Sequence, residues 1–252
     1  MRKVVFESAP ELTILYQDEY LVAIDKPSGL LVHRSEIDKR ETLFAMQLTR
    51  DLIGQHVYPI HRLDRPTSGV LLFALSSEVA RKMSELFIAG LVSKTYLAVI
   101  RGTCPEQLHI DYALKEILDK KSDKKANKDK EPQSAQTSLR RLAQVELPFP
   151  SGRYAQTRYS LVELTPHTGR KHQLRRHMAH IRHPIIGDTN HGDGKQNKAA
   201  KEHLGLDRLA LVAKNLSFPH PISNDIINIS ADIDPTLTHL FNLFSPDSAL
   251  IY

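Results

Sequence analysis

The chain has few of the residues on which several fold and function classes depend. It carries one cysteine, Cys104, in 252 residues. That excludes an intrachain disulfide and a cysteine-built zinc site, and it fits a reducing, cytoplasmic compartment. No apolar run approaches the ~18 residues of a membrane-spanning helix. Met1 to Tyr16 lack the apolar core and small-residue cleavage site of a signal peptide. There is no Gly-x-x-x-x-Gly-Lys-Ser/Thr, no Gly-x-Gly-x-x-Gly and no Gly-x-Ser-x-Gly, which argues against an NTPase, a dinucleotide enzyme and an α/β-hydrolase. Histidines are plentiful, but none of the common zinc spacings occurs. His177 and His180 are one turn apart without a third ligand, so no metal is expected.

What the chain does have is positive charge: 34 Lys and Arg against 29 Asp and Glu give a net +5. A basic balance favours a polyanionic partner, nucleic acid first. The charge is concentrated. From Thr165 to Gly187 there are five cations, five histidines and no acid. This segment reads either as a solvated basic helix face or as a phosphate-binding helix N-terminus behind a glycine turn.

The apolar pattern predicts strands at Leu12–Tyr16, Tyr20–Ile24, His56–Ile60, Val70–Leu75, Lys94–Ile100 and Tyr159–Leu164. Shorter strands are expected at Leu209–Val212, Leu216–Phe218 and Ile226–Ile229, separated by Lys214-Asn215 and Pro219–Asp225. Helices are expected from a Thr42 cap to Ile53, after Ser76 or Ser77 as far as Gly90, from the Gly169 turn to Pro184, and after Asp234-Pro235. Hairpins mixed with single helices indicate an α+β fold with a mixed, mainly antiparallel sheet. No composition break divides the chain, so 1–252 reads as one catalytic domain with an N-terminal extension at 1–11. Residues 119–138 read as a mobile loop, because Asp119–Glu131 holds six lysines, four acids and one apolar residue, Ala126.

Three stretches could carry chemistry. His61-Arg62-Leu63-Asp64-Arg65-Pro66-Thr67-Ser68-Gly69 places a carboxylate between two arginines before a buried strand. Asp64 is then either an ionised reactive group or a turn aspartate accepting backbone N–H bonds. Lys94-Thr95-Tyr96-Leu97 puts Tyr96 on a strand, where a tyrosine ordinarily packs with its hydroxyl satisfied. Gly169-Arg170-Lys171-His172-Gln173-Leu174-Arg175-Arg176-His177 opens the basic helix.

Together, in this order, and with Asp25-Lys26-Pro27-Ser28-Gly29 upstream and His183 to Asp188 downstream, these blocks resemble the RluA-type pseudouridine synthases over about Leu12–Ser230. The resemblance implies a pseudouridine-synthase fold with flanking helices and a central RNA cleft. It matches Asp64 to the catalytic aspartate, Tyr96 to the tyrosine packing on the target base, and Arg175 to the cation pairing with the aspartate. Leu174 matches the apolar residue beside the base, and Arg62 a position near the space that a flipped base leaves. His61, Arg65, Arg170, Lys171, His172 and Arg176 are carried as RNA-binding candidates. The implied partner is RNA, with no cofactor, membrane or protein partner. Arg50–Val57, the doubled Arg175-Arg176 and Gly187–Asp193 resemble the subgroup acting on uridine 65 of tRNA, with a 23S rRNA uridine or a non-catalytic RNA-binding role as alternatives. Two departures stand out: His191 occupies a position where many members have tyrosine, and no S4-type RNA-binding domain precedes residue 12.

Overall fold

The computed structural model describes residues 8–34, 41–116 and 131–244. Its centre is a strand that is apolar on both faces. β1 (Thr13–Gln17) and β2 (Leu21–Lys26) form a hairpin, followed by α1 (Ala45–Ile53), the short β3 (Tyr58–Pro59) and β4 (Ser68–Ala74). Every residue of β4 is buried. Val70, Leu72 and Ala74 face one apolar cluster with Val79 and Met83 of α2 (Ser77–Ile88), whereas Leu71 and Phe73 face another with Ala45 of α1. Alternate residues of a strand point to opposite faces, so helices on both sides produce the uninterrupted apolar run seen in the sequence.

The chain continues through β5 (Ser93–Arg101), β6 (Gln107–Asp111), β7 (Gln136–Leu147) and β8 (Thr157–Pro166). Then come α3 (Gln173–His180), α4 (Gly194–Leu204), β9 (Leu211–Pro219), β10 (Ile226–Ser230) and α5 (Pro235–Asn242). The sheet order is β1-β2-β4-β9-β5-β8-β7-β6, with β10 on β9 and β3 on β4. All pairings are antiparallel except β4 with β9. This is the α+β architecture with a mixed, mainly antiparallel sheet.

The parallel seam brings distant parts of the chain together. It spans only Ser68↔Val212 and Gly69↔Ala213. A Cβ on Gly69 would sit 2.2 Å from the Ala213 carbonyl oxygen, and Gly69 has φ +107. Only glycine allows both the conformation and the approach. Across β9, Ala213 pairs with Tyr96 directly beside a register shift at Thr95/Tyr96. Such a bulge re-aims a side chain. The loop before β4 and Tyr96 on β5 thus meet over one alanine.

Several elements differ from the sequence expectation. Lys214-Asn215 does not break the chain: β9 runs through it opposite the bulge, and Lys214 Nζ donates to the Ala231 carbonyl at 2.5 Å. Of the expected 119–138 loop, 119–130 lie outside the described residues, but Gln136, Thr137 and Ser138 belong to β7 and Thr137 is fully buried. Strands β6 and β7 and helix α4 were not expected. Helix α4 buries only Gln196, Ala199 and Ala200, too few for an apolar stripe, although Asp193 caps its start and Gly205 (φ 66) its end. Thr42 does not cap α1. The N–H groups of Ala45 and Met46 instead donate to the Leu31 and Val32 carbonyls. Helix α3 starts at Gln173, later than the Gly169 turn suggests, and stops before Pro184 through Arg182 at φ 64.

Gly69→Ala should therefore destabilise the protein by more than about 3 kcal/mol, through steric conflict with backbone. Gly54→Ala, also at positive φ but with nothing within 4 Å of the added Cβ, should cost only ~1 kcal/mol. Urea-denaturation midpoints compare the two; equal losses would show that the β4–β9 seam is not tight.

Candidate active site

The loop before β4 is built by backbone geometry and held by buried charge. The Asp64 carbonyl accepts from Thr67 N–H at 3.0 Å and closes the turn. Below it, fully buried Lys26 donates to the carbonyls of Pro27, Leu30 and Arg65 at 2.9, 2.8 and 3.2 Å. Burial, with the Arg208 charge, lowers the Lys26 pKa to about 7, but three carbonyls favour the ammonium with its three donors, which ties the β2 turn to the Asp64 loop. Ser28 Oγ adds a bond to the Pro66 carbonyl at 2.8 Å.

Asp64 faces Arg175 on the first turns of α3. Arg175 is buried, with 4% of its side chain exposed against 20% for Asp64. Its guanidinium is used on two carboxylates. Nε and Nη2 donate to Oδ2 and Oδ1 of Asp188 at 2.7 and 2.8 Å, and Nη1 donates to Oδ2 of Asp64 at 3.1 Å. The two-pronged grip fixes the plane of the guanidinium, and Nη1 is thereby aimed at Asp64. Burial acts to raise the Asp188 pKa. The Arg175 guanidinium and the N–H groups of Asn190 and His191 outweigh it and hold that carboxyl below the usual range.

Around Asp64 lies a cleft of about 590 Å³ whose lining includes every residue selected from the sequence except Arg65. That volume lies within the ~300–1,000 Å³ common for ligand sites. Cations dominate its polar wall, among them Arg62, Lys94, Arg170, Lys171 and Arg176, against the acids Asp64 and Glu116. Tyr96 packs against two of the apolar clusters. Burial and the Asp64 charge push its phenol well above the ordinary range, so it stays protonated at neutral pH. Leu174 is buried at 6% exposure and lines the floor beside it.

The RNA-binding candidates fall into different environments. Arg62 is exposed. Arg65 turns away, with Nε on the Gly29 carbonyl at 2.9 Å and Nη2 on Glu41 at 2.9 Å. His61 accepts from Leu72 N–H at 3.0 Å, and burial, with Lys94 nearby, lowers its pKa to about 4, so it is neutral and tied to β4. Arg170 Nε donates to Ser134 O at 3.0 Å and Arg176 Nη2 to Lys115 O at 2.9 Å. His177 is fully buried, its ring nitrogens 2.9 Å from Thr137 Oγ1 and 3.0 Å from Tyr112 O, and His180 stacks on Tyr112. Sequence reasoning assigned no role to Asp188, Lys26 or Lys94, although all three lie inside the motif blocks.

The RNA pseudouridylate synthase family model matches residues 20–180 of the chain. The chain belongs to that family. It is 55% identical over 241 residues to tRNA pseudouridine synthase C of Vibrio parahaemolyticus, covering 96% of this chain and 98% of the relative. To tRNA pseudouridine synthase C of Haemophilus influenzae it is 58% identical over 233 residues, covering 92% and 98%. Among solved structures, human RNA pseudouridylate synthase domain containing 4 superposes with TM-score 0.69 at 28% identity, covering 91% of this chain and 92% of that one. The human domain containing 1 gives TM-score 0.67 at 25% identity, covering 89% and 84%. As an RNA pseudouridylate synthase the protein is an isomerase, and the cleft built around Asp64 is its candidate active site.

Asp188→Asn leaves buried Arg175 without its main counter-charge and should cost roughly 3–5 kcal/mol at neutral pH. Because the folded Asp188 pKa lies below its unfolded value near ~3.9, its contribution is complete above that value and is lost as pH falls through the folded pKa. The stability gap between wild type and Asp188→Asn should thus be constant from about pH 5 to 8 and close below about pH 4. Denaturation midpoints across pH 3–8 measure it; a gap that persists undiminished at pH 3 contradicts the ion pair.

Proposed function

We propose that the protein isomerises uridine 65 of tRNA to pseudouridine, with Asp64 as the catalytic residue. The observation that carries this reading is an ionisable carboxylate at the mouth of a cation-lined cleft, gripped by a buried arginine. The names of the relatives support tRNA as the substrate, and the resemblance in Arg50–Val57 and Gly187–Asp193 supports uridine 65. The single cysteine and a tRNA substrate favour the cytoplasm. No helix among the described residues is long and apolar enough to cross a membrane.

The reaction breaks the C1′–N1 bond, turns the base and joins C1′ to C5; C5 then loses a proton and N1 gains one. A uridine within a stem is out of reach, so it must be flipped out at a cost of a few kcal/mol. The cations of the cleft offset that cost by binding phosphate. Addition to C1′ and proton removal at C2′ are the two routes open to a carboxylate facing the ribose, and both need it ionised. Arg175, 3.1 Å from Oδ2, supplies its counter-charge and sets its direction. Tyr96 offers an aromatic face to the free base and a neutral hydroxyl near C5. Leu174 closes the apolar side, and Arg62 at the exposed rim is placed to take the stacking position that the base leaves.

Asp64→Asn should abolish tritium release from [5-³H]uridine-labelled tRNA while leaving tRNA binding within about twofold, since one negative charge leaves a cationic cleft. Pseudouridine mapping in cells lacking the gene should lose the modification at tRNA position 65. Loss at a 23S rRNA position instead overturns the substrate reading.

Arg175→Ala should lower the single-turnover rate at saturating enzyme by at least about a hundredfold. Arg176→Ala should mainly weaken binding, by ~1 kcal/mol with a shallower salt dependence. Equal rate losses in the two variants would refute the assignment of Arg175. Activity should also survive exhaustive chelation, because both ring nitrogens of His177 lie within hydrogen-bond reach of protein oxygens. Loss with EDTA and recovery with Zn²⁺ would overturn that.

A further inference from the structure

Arg175 engages one oxygen of Asp64. The other, Oδ1, faces His172, which in turn meets His191, and the proposed reaction gives neither ring a role. His172 Nε2 lies 3.9 Å from Asp64 Oδ1, and His172 Nδ1 lies 2.9 Å from His191 Nε2. The two rings are 5.2 Å apart and nearly perpendicular, at 74°. His191 is itself placed by Asp188, whose Oδ1 accepts the His191 backbone N–H at 3.0 Å. The carboxylate that grips Arg175 therefore also positions the second histidine. His172 sits at φ 55, one of three non-glycine residues at positive φ among those described. A left-handed conformation costs about 1–2 kcal/mol in a residue with a Cβ. Strain of this kind persists where the surroundings over-determine it, and it clusters at functional sites.

We infer that His191 and His172 form a hydrogen-bonded relay that presents the His172 Nε2–H to Oδ1 of Asp64, making His172 a positioning residue for the carboxylate. The inference rests on the reading of Asp64 as catalytic. Proton counting fixes the direction. Two ring nitrogens 2.9 Å apart need one proton between them. If His172 Nδ1 carried it, neutral His172 would turn a lone pair toward the Asp64 carboxylate, and the two would repel. If His191 Nε2 carries it, His172 Nδ1 accepts and His172 Nε2 keeps its hydrogen facing Asp64.

The charged groups around the pair are Asp64, Asp188, Arg175, Lys171 and Arg176. Burial lowers His172 to about 4 and also lowers His191, with Asp64 pulling the other way and Arg175 adding to the fall. Both rings are therefore neutral at neutral pH, as the relay requires. At 3.9 Å the final step is too long for a hydrogen bond without RNA. Catalytic hydrogen bonds are often long in free enzymes and tighten with substrate. Asp64 would then be held through both oxygens, by Arg175 on one side and His172 on the other, with Asp188 anchoring both.

The test has two arms. In the free protein, ¹⁵N NMR of the imidazoles reads the tautomer without any RNA. His172 should be in the Nε2–H form in the wild type and in His191→Gln, whose amide N–H can replace His191 Nε2–H, and should become mixed in His191→Leu. With tRNA, His191→Leu should lower the single-turnover rate roughly ten- to hundredfold with an unchanged half-saturating enzyme concentration, and His191→Gln should recover most of the rate. An Nδ1–H tautomer at His172 in the wild type, or a His191→Leu enzyme at the wild-type rate, overturns the relay. If wild type makes no pseudouridine in tRNA while His172 is in the Nε2–H form, it is the substrate reading that has failed.

Discussion

A guanidinium buried beside a sheet has to be compensated, and the site is organised around how that is done here. Arg175 lies almost wholly out of water, and Asp188 takes two of its N–H groups. The pair is costly to desolvate and cannot lose a member cheaply. That cost gives the guanidinium one orientation, and its Nη1 is aimed at a partly exposed carboxylate 111 residues away in sequence. An arginine free to rotate would pair with Asp64 in many geometries. A clamped one holds it in one, which is the condition for a reacting group to act without reorganising.

The sheet supplies the other half of the geometry. Asp64 precedes β4 and Tyr96 follows a bulge in β5; Gly69 at the start of β4 and Tyr96 both pair with Ala213 of β9. The parallel contact of β4 and β9 is close, with Gly69 directly against the backbone of Ala213. Lys26, bonded to three carbonyls, fixes the loop from the opposite side. The tyrosine face and the carboxylate are thus set by backbone packing more than by contact with each other.

How much of the molecule is legible in the sequence depends on how local each signal is. Strand β4 was legible because helices cover both its faces, which leaves an unbroken apolar run. Helix α5 was legible because Asp234 caps it and Leu237, Leu240 and Phe241 fall on one buried face. Helix α4 was not, because it lies against the core through a glutamine and two alanines. Lys214-Asn215 looked like a turn because two polar residues interrupt an apolar run. Only the partner strand's bulge shows that they continue it. At the site, residue types were legible and partners were not. Asp188 stood inside a recognised block, yet nothing local says that it grips an arginine 13 positions earlier. Arg65 carried the same charge and motif membership as Arg62, but it turns to Gly29 and Glu41 behind the cleft. Charge is written in the sequence; the direction of a long side chain is decided by tertiary packing.

The central claim is that Asp188 acts on the reaction through Arg175, and a double-mutant cycle tests it most directly. With its amide oxygen at the Oδ1 position, Asp188→Asn keeps the backbone N–H bonds of Asn190 and His191 and loses the charge and the acceptor for Arg175 Nε, so it acts on the grip and not on the turn. Single-turnover rates on tRNA at saturating enzyme should be measured for Arg175→Gln, Asp188→Asn and the double variant. If the clamp is what matters, adding Asp188→Asn to Arg175→Gln costs no more than about twofold, although each substitution alone costs far more. Losses that multiply independently would mean that Asp188 reaches the chemistry by another route, and the clamp would not be what holds Asp64 ready.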